Sequence, residues 1–122
     1  MPAERLTALC YPKCSTCKRA VKWLDEHGIA YEYRDIVRQN PTPEELAAWH
    51  ARSGLPIRRL FNTSGMLYRQ MGLKDKLPGM SDEECYQLLS TDGMLVKRPL
   101  LVGADFVLAG FREAEWEQRL LG

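Results

Sequence analysis

The stretch from Leu6 to Ala20, LTALCYPKCSTCKRA, places a Cys-x-x-Cys pair where a short apolar run stops and helical spacing begins. The run ends at Pro12, so the pair lies at the turn from a strand into a helix. Unpaired N–H groups at a helix N-terminus favour negative charge, and the thiolate is the reactive form of cysteine. We therefore predict Cys14 as the reactive sulfur, and Cys17, one turn into the helix, as the thiol that closes a disulfide with it.

The residues around the pair support this helix. Either Cys14 or Ser15 serves as its N-cap. Its apolar stripe is predicted to comprise Ala20, Val21, Leu24 and, more loosely, Trp23. Positive charge that further favours the thiolate comes from Lys13, Lys18 and Arg19.

Two other interpretations of the cysteines were weighed. A structural zinc site normally needs a second cysteine pair or two closely spaced histidines, whereas Cys10 and Cys85 are single and His27 and His50 are far apart. No metal is therefore expected. Burial as inert core is the interpretation that we favour for Cys85, on the apolar side of a later helix.

The composition limits the class of protein. A chain of 122 residues fits a single domain, and 17 basic against 16 acidic residues leave a net charge of +1, which argues against direct nucleic-acid binding. No apolar run approaches the ~20 residues that span a bilayer, and Met1 to Arg5 lacks the apolar region of a secretory signal. We expect a cytoplasmic monomer whose four cysteines serve thiol chemistry, with no membrane attachment.

The first part of the chain predicts a βαβ unit. Arg5 to Leu9 is the first strand, a helix runs from about Ser15 to Gly28, and the alternating IAYEYRDI, Ile29 to Ile36, is the second strand. A helical crossover implies that the two strands are parallel and that the connection is right-handed.

The middle of the chain, residues 40–93, is predicted to be an all-helical insertion. Thr42 with Glu45, and Ser81 with Glu84, have the spacing of capping boxes. Leu46, Trp49 and His50 give the first of these helices its inner side, and Tyr86, Leu88 and Leu89 do so for the second.

Three smaller features of this insertion carry expectations. The NTSG segment, Asn62 to Gly65, is expected to cap a short helix that runs through Met71 and stops at Gly72. Arg58 and Arg59 form either an anion site or a solvated face, and we favour the solvated face. His50 is interpreted as a half-buried helix residue rather than a base.

The C-terminal part returns to strand spacing. Leu100 to Val102 and Phe106 to Ala109 flank a tight turn and predict an antiparallel hairpin. A last helix from about Arg112 is predicted to direct Trp116, Leu120 and Leu121 inward. Pro99, at the entrance of the hairpin, is either trans, as most prolines are, or cis and placed against the cysteine turn.

This order of elements is that of an α/β protein with a thioredoxin-like fold that carries a helical insertion. The thioredoxin-like core comprises about residues 5–39 and 94–122. The sequence resembles the ArsC/Spx family, which includes glutaredoxin-linked arsenate reductases and Spx-type regulators of RNA polymerase. The segments that carry the resemblance are PKCSTCKRA, NTSG followed by YRQMGL, and KRPLLV.

The resemblance implies roles for individual residues. Cys14 matches the nucleophilic cysteine, Arg98 matches the arginine that contacts the oxyanion in the reductases, and Pro99 matches a cis-proline. A planar guanidinium and helix N–H donors suit an anion such as arsenate. No bound cofactor is implied, and reducing equivalents would come from glutathione with glutaredoxin, or from thioredoxin.

The sequence departs from the characterised reductases at three positions. Asn62 stands where they carry a second oxyanion-binding arginine, a role that Arg58, Arg59 or Lys13 would have to take over. Cys17 replaces a non-cysteine residue and favours an internal disulfide, and Cys10, where histidine is common, is interpreted as strand core.

Two functions follow from these features. One is a thiol-dependent oxidoreductase that acts on arsenate or on a disulfide. The other is a redox-switch regulator that binds RNA polymerase, for which Gly54 falls near a glycine used by Spx proteins, although a helix C-cap explains this glycine equally well.

Overall fold

The computed structural model describes residues 6–122. The strands are β1 (Thr7–Cys10), β2 (Glu32–Asp35), β3 (Leu100–Val102) and β4 (Val107–Ala109). The α-helices are α1 (Ser15–Glu26), α2 (Pro43–Ser53), α3 (Met66–Gln70), α4 (Leu73–Lys76), α5 (Asp82–Leu89) and α6 (Glu113–Leu121). Short 3-10 turns cover Ile57–Leu60, Leu77–Gly79 and Gly93–Leu95.

The four strands form one mixed sheet in the order β2-β1-β3-β4. β1 and β2 are parallel and are joined through α1, while β3 is antiparallel to both β1 and β4. The predicted βαβ unit and the C-terminal hairpin are both confirmed. β1 lies between β2 and β3, so the turn that follows it starts from a strand that is hydrogen-bonded on both edges.

Alternation along the strands creates two separate cores, one on each face of the sheet. Ala8 and Cys10 of β1 face α1 and α6, where they pack with Leu24 and Trp116. Leu9, between them, faces the opposite side and packs with residues from the helical segment α2 to α5. The predicted insertion therefore covers one face of the sheet, while α1 and α6 cover the other.

Local capping chemistry explains where the helices begin. Both predicted capping boxes are present, with Thr42 and Glu45 at α2 and with Ser81 and Glu84 at α5. α2 ends at Gly54, which has φ of +66°, a left-handed conformation that glycine adopts without strain. The helix C-cap is thus a sufficient reason for glycine at this position.

Several predicted boundaries differ from the structure. β1 begins at Thr7 and includes Cys10, while Arg5 lies outside the described residues. β2, Glu32–Asp35, covers only the later part of the predicted strand. Gly65, the last residue of the predicted NTSG cap, is the N-cap of α3, whereas the short helix α4 was not predicted. Leu121 was predicted to face inward, but it is exposed at the C-terminal end of α6, where Leu120 is only partly buried.

The inner faces of the helices follow the prediction with small differences. On α1 the buried residues are Cys17, Ala20, Trp23 and Leu24, whereas Val21 is only partly buried. Cys85 is completely buried on α5, as predicted. His50 is half-buried and uses both ring nitrogens, with Nδ1 lying 2.6 Å from the Tyr86 hydroxyl and Nε2 lying 2.9 Å from the Leu55 carbonyl oxygen.

Trp116 connects α6 to the loop that precedes β3. Its fully buried ring packs edge-on against Trp23 and Phe111, and its Nε1 donates to the Gly110 carbonyl at 3.1 Å. The Gly110 N–H in turn donates to the Pro99 carbonyl at 2.8 Å. The position of Pro99 therefore depends on the core beneath α6.

Replacing Trp116 with phenylalanine is expected to reduce the free energy of unfolding by about 1–3 kcal/mol, because the buried Gly110 carbonyl loses its donor while an aromatic ring is retained. Urea unfolding followed by circular dichroism measures this loss. Trp49→Phe is the control, since no hydrogen bond of the Trp49 indole occurs among residues 6–122. An equal loss in both variants would contradict a specific role for the Trp116 hydrogen bond.

Candidate functional site

The turn between β1 and α1 holds Cys14 at the helix N-terminus. The Cys14 N–H donates to the Tyr11 carbonyl at 2.9 Å, which closes the turn around Pro12. Cys14 is the N-cap, and its sulfur accepts the Cys17 N–H at 3.4 Å. Of the two predicted N-caps, the structure thus has Cys14, and a backbone N–H of the first helical turn is directed at its sulfur.

Cys17 lies one turn into α1 and is buried between the helix and the end of β1. Its thiol lies against the thiol of Cys10, and both side chains are almost completely inaccessible to solvent. A hydrogen bond with Cys10, followed by burial, raises the pKa of Cys17 far above its ordinary value. Cys10 is core, as predicted, and it also contacts the second cysteine of the pair.

The segment before β3 brings Arg98 to the cysteine turn. The Arg98–Pro99 peptide bond is cis. The Arg98 guanidinium lies over the Tyr11 ring, with 5.4 Å between its carbon and the ring centroid, and Nη1 donates to the Met94 carbonyl at 3.4 Å. Its buried Nε–H has no hydrogen-bond partner among residues 6–122, so donor capacity is left for a ligand.

Cys14 and Arg98 line the same cleft, of about 450 Å³. Besides Arg98, its lining includes three other cations, Arg59, Lys97 and Arg112. No histidine or carboxylate is found among the described residues that line it. The cleft is therefore an anion-attracting environment built around the Cys14 sulfur.

Arg59 corrects one prediction. It was interpreted as part of a solvated face, but it is half-buried and lines the Cys14 cleft, because the 3-10 turn Ile57–Leu60 brings it back toward the sheet. Asn62 lines the same cleft, where it offers an amide in place of a guanidinium. Arg58 lines a neighbouring cavity, and Lys13 is exposed and does not line the cleft.

Lys97 and Arg112 were missed as site residues by sequence reasoning. Lys97 directly precedes Arg98, and Arg112 follows the hairpin that also places Gly110 in the cleft. In the sequence, the only signal for Lys97 is that it begins the segment KRPLLV, and the only signal for Arg112 is that it follows the end of the hairpin. Which of the chain's many cations converge on Cys14 depends on the packing of the whole fold.

The described residues contain neither a metal site nor a membrane-spanning helix. Within residues 6–122, no group of three histidine, cysteine, aspartate or glutamate side chains is arranged to hold a metal ion. In the same range, every helix is too short or too polar to cross a membrane. The chemistry present at the site is that of two thiols and a set of cations.

The sheet order, together with a Cys-x-x-Cys pair at the start of α1 beside the Arg98–Pro99 segment, defines an α/β protein with a thioredoxin-like fold. The chain belongs to the ArsC family, whose model matches residues 9–119. The uncharacterized protein YusI of Bacillus subtilis is 49% identical to it over 93% of this chain and 96% of YusI.

Solved structures support the same assignment. An ArsC family related protein from Bacteroides fragilis superposes with a TM-score of 0.90 at 54% identity, covering 93% of this chain and 95% of that one. A possible arsenate reductase from Streptococcus mutans superposes with a TM-score of 0.88 at 43% identity, covering 97% of this chain and all of that one.

A more distant relative is a regulator. The global transcriptional regulator Spx of Enterococcus faecalis is 26% identical over 90% of this chain and 82% of its own length. Similarity thus extends both to a protein described as a possible arsenate reductase and to one named as a regulator of transcription.

Proposed function

We propose that this protein is a cytoplasmic dithiol oxidoreductase in which Cys14 is the nucleophile and Cys17 the resolving thiol. The observation that carries the proposal is the placement of Cys14 at the N-cap of α1, in a cleft with four cations, with a second thiol one helical turn away. A thiolate at this position gains from the helix N–H groups and from the surrounding positive charge.

The reaction with a disulfide substrate proceeds in two exchange steps. The Cys14 thiolate attacks one substrate sulfur, and the other half of the substrate leaves as a thiolate. Cys17 then loses its proton and attacks the Cys14 sulfur, which releases the second substrate half and leaves a Cys14–Cys17 disulfide. The net reaction converts one substrate disulfide into two thiols and oxidises the pair.

Arsenate is the second substrate to be considered, and the same two thiols would serve it. Cys14 would bond to arsenic with loss of hydroxide. Attack of Cys17 on the Cys14 sulfur would then leave the electron pair on arsenic, which departs as arsenite. Arg59, Arg98 and Arg112 are the guanidinium groups in the cleft that could hold its oxygens, with Asn62 as a neutral donor.

The oxidised pair must be reduced for turnover, and we propose that glutathione with glutaredoxin, or thioredoxin, supplies the electrons. NADPH consumption with arsenate and with 2-hydroxyethyl disulfide, each coupled in parallel to the two donor systems and counted only above the rate of the donor system without this protein, tests the proposal. We expect disulfide-dependent turnover that requires Cys14. If neither substrate is reduced with either donor, the proposed enzyme function is wrong.

Arg98→Gln separates the two substrates. A neutral amide cannot neutralise an oxyanion, so the ratio of kcat/KM for arsenate to that for 2-hydroxyethyl disulfide should fall at least about tenfold. Arg38→Gln, a substitution of an exposed arginine that does not line the cleft, should leave both values unchanged. An equal fall for both substrates in Arg98→Gln would indicate a structural role instead.

A second function is that of a redox-switch regulator that binds RNA polymerase, and the similarity to Spx of Enterococcus faecalis is the observation that favours it. The Cys14–Cys17 disulfide would then control binding rather than catalysis. Purified polymerase passed over the immobilised protein, with the pair reduced or oxidised, tests this. Absence of retained polymerase in both states would count against the regulator.

A further inference from the structure

The Cys14 cleft does not end at the reactive cysteine. It adjoins a second cavity of about 320 Å³, and Arg59 and Lys97 line both cavities. The second cavity is also lined by Arg58 and Lys74 and bordered by the largely buried residues Phe61 and Tyr68. We refer to these two adjoining cavities, whose linings extend from Cys14 to Lys74 on α4, as the basic trough.

The basic trough is cationic along its whole length. Six cations line it, Arg58, Arg59, Lys74, Lys97, Arg98 and Arg112. No carboxylate is found in either lining within the described chain, and the salt bridge of residues 6–122 joins Arg34 to Glu45, away from the trough. Since the whole chain carries a net charge of only +1, the positive potential is concentrated on this surface.

The cationic surface is longer than a compact oxyanion requires. An ion the size of arsenate beside Cys14 would be served by the cations of the first cavity, and Arg58 and Lys74 would have no part in binding it. The two cavities have the combined size of a small-molecule site. A ligand that used the whole trough would place its reacting atom at Cys14 and negative groups along the rest.

We propose that the basic trough binds the disulfide of a small thiol that carries phosphate groups, with the S–S bond at Cys14 and the phosphates between Lys97 and Lys74. Guanidinium and ammonium groups are the side chains that bind phosphates in proteins. Phe61 and Tyr68 also border this cavity, but both are buried in the core, so the cations supply the contacts that bind the ligand. This inference rests on the proposed disulfide exchange at Cys14 and names its substrate class.

The exchange is balanced without any further reactant. Cys14 attacks one sulfur of the disulfide and expels one phosphate-bearing thiolate, and attack by Cys17 on Cys14 expels the other. The substrate gains two electrons, and the cysteine pair loses two as it forms the Cys14–Cys17 disulfide.

The test compares two disulfides that share the same reacting end. Coenzyme A disulfide carries phosphates and a base, whereas pantethine has the same sulfur-bearing arm without them. The pre-reduced full-length protein is mixed with each in excess, quenched with iodoacetamide, and analysed for loss of the Cys14 thiol by mass spectrometry. We expect a second-order rate constant at least about tenfold higher for coenzyme A disulfide at low salt, with the advantage falling as screening increases.

Variants in the second cavity show whether the trough is responsible. Arg58→Gln with Lys74→Gln should remove most of the advantage of coenzyme A disulfide and leave the pantethine rate unchanged, because neither residue lines the Cys14 cleft. Arg38→Gln with Lys76→Gln removes the same charge from exposed positions outside the trough, Lys76 being on the same short helix as Lys74. This control should retain the advantage.

The possible outcomes distinguish the inference from the function on which it rests. If pantethine oxidises Cys14 and coenzyme A disulfide is no faster, the trough does not bind this substrate class, although the proposed exchange stands. If the control pair loses the advantage as fully as the trough pair, the effect is overall charge, and the inference is wrong. If neither disulfide oxidises Cys14, both the exchange and the inference fail.

Discussion

Replacement of Cys14 with serine is expected to lower the rate of disulfide reduction by at least about 1,000-fold, because an unactivated hydroxyl stays protonated near neutral pH and is a weak nucleophile. A serine can be activated by a neighbouring base, but the described lining of the Cys14 cleft contains no histidine or carboxylate that could accept its proton. Steady-state turnover of 2-hydroxyethyl disulfide measures the loss.

The fold should survive this substitution. Cys14 is the N-cap of α1 and its side chain accepts the Cys17 N–H, a role that serine fills at least as well. The Tm of Cys14→Ser should therefore equal or exceed that of the unmodified protein. Cys85→Ala, at a fully buried thiol on α5, is the matched control and should keep turnover within about twofold per folded molecule, even if its Tm falls. Turnover in Cys14→Ser comparable to that of the control would refute the role of Cys14.

The parts of the fold that the sequence predicts well are those decided by neighbouring residues. The capping box of Thr42 and Glu45 involves groups three positions apart, and so does the N-cap contact between Cys14 and Cys17. Such contacts form whatever the rest of the chain does. For the same reason the strand-to-helix turn at Cys14, which defines the site, could be located before any tertiary contact was known.

The parts that the sequence does not predict depend on contacts between distant segments. Arg58 and Arg59 are adjacent and chemically identical, yet only Arg59 lines the Cys14 cleft. No local pattern distinguishes them, since the difference arises from how the 3-10 turn packs against the sheet. The contact of His50 with Tyr86 is of the same kind, because it joins residues 36 positions apart on α2 and α5.

Boundaries were less accurate than the elements themselves. α4 has only four residues, too few for an apolar period to be recognised. Leu121 has the spacing of an inward residue but is exposed, because the last turn of α6 has no neighbouring element to cover it. Periodicity shows which face of a helix is apolar, whereas the surrounding fold decides whether that face is covered at a given turn.

The basic trough shows the same limit at the level of function. A net charge of +1 argues correctly against a protein-wide field, but it says nothing about how 17 basic and 16 acidic side chains are distributed. Arg98 was predicted through its segment, KRPLLV, whereas its neighbours in the trough come from three other parts of the chain. Local charge density is thus a property of the fold, and it is the property from which a substrate class can be inferred.

The closing of the Cys14–Cys17 disulfide is expected to accelerate about tenfold for each pH unit across the range from 6 to 9, because the thiolate is the attacking species and its fraction rises tenfold per unit below the pKa. The hydrogen bond with Cys10 and burial raise the pKa of Cys17 far above its ordinary value, so Cys17 is a protonated thiol throughout this range. Because the pKa of Cys17 is raised, the disulfide forms slowly at neutral pH, and its rate of formation reaches no plateau below pH 9.

A pH-jump experiment isolates this step. Cys14 is first blocked at pH 5 as a mixed disulfide with 5-thio-2-nitrobenzoate, so that it no longer titrates. After the jump, attack of Cys17 on Cys14 releases the coloured thiolate, whose absorbance gives the rate. Cys17→Ser should release none within the same time.

Cys10→Ala decides whether the neighbouring thiol sets this pH dependence. Since the hydrogen bond with Cys10 is the largest cause of the raised pKa of Cys17, its removal should lower that pKa and speed the release at every pH of the range. Cys85→Ala removes a thiol of equal burial from the other face of the sheet and should leave the rate unchanged. A release that is independent of pH in the unmodified protein, or that is not faster in Cys10→Ala, would show that Cys17 is not held as a thiol by Cys10.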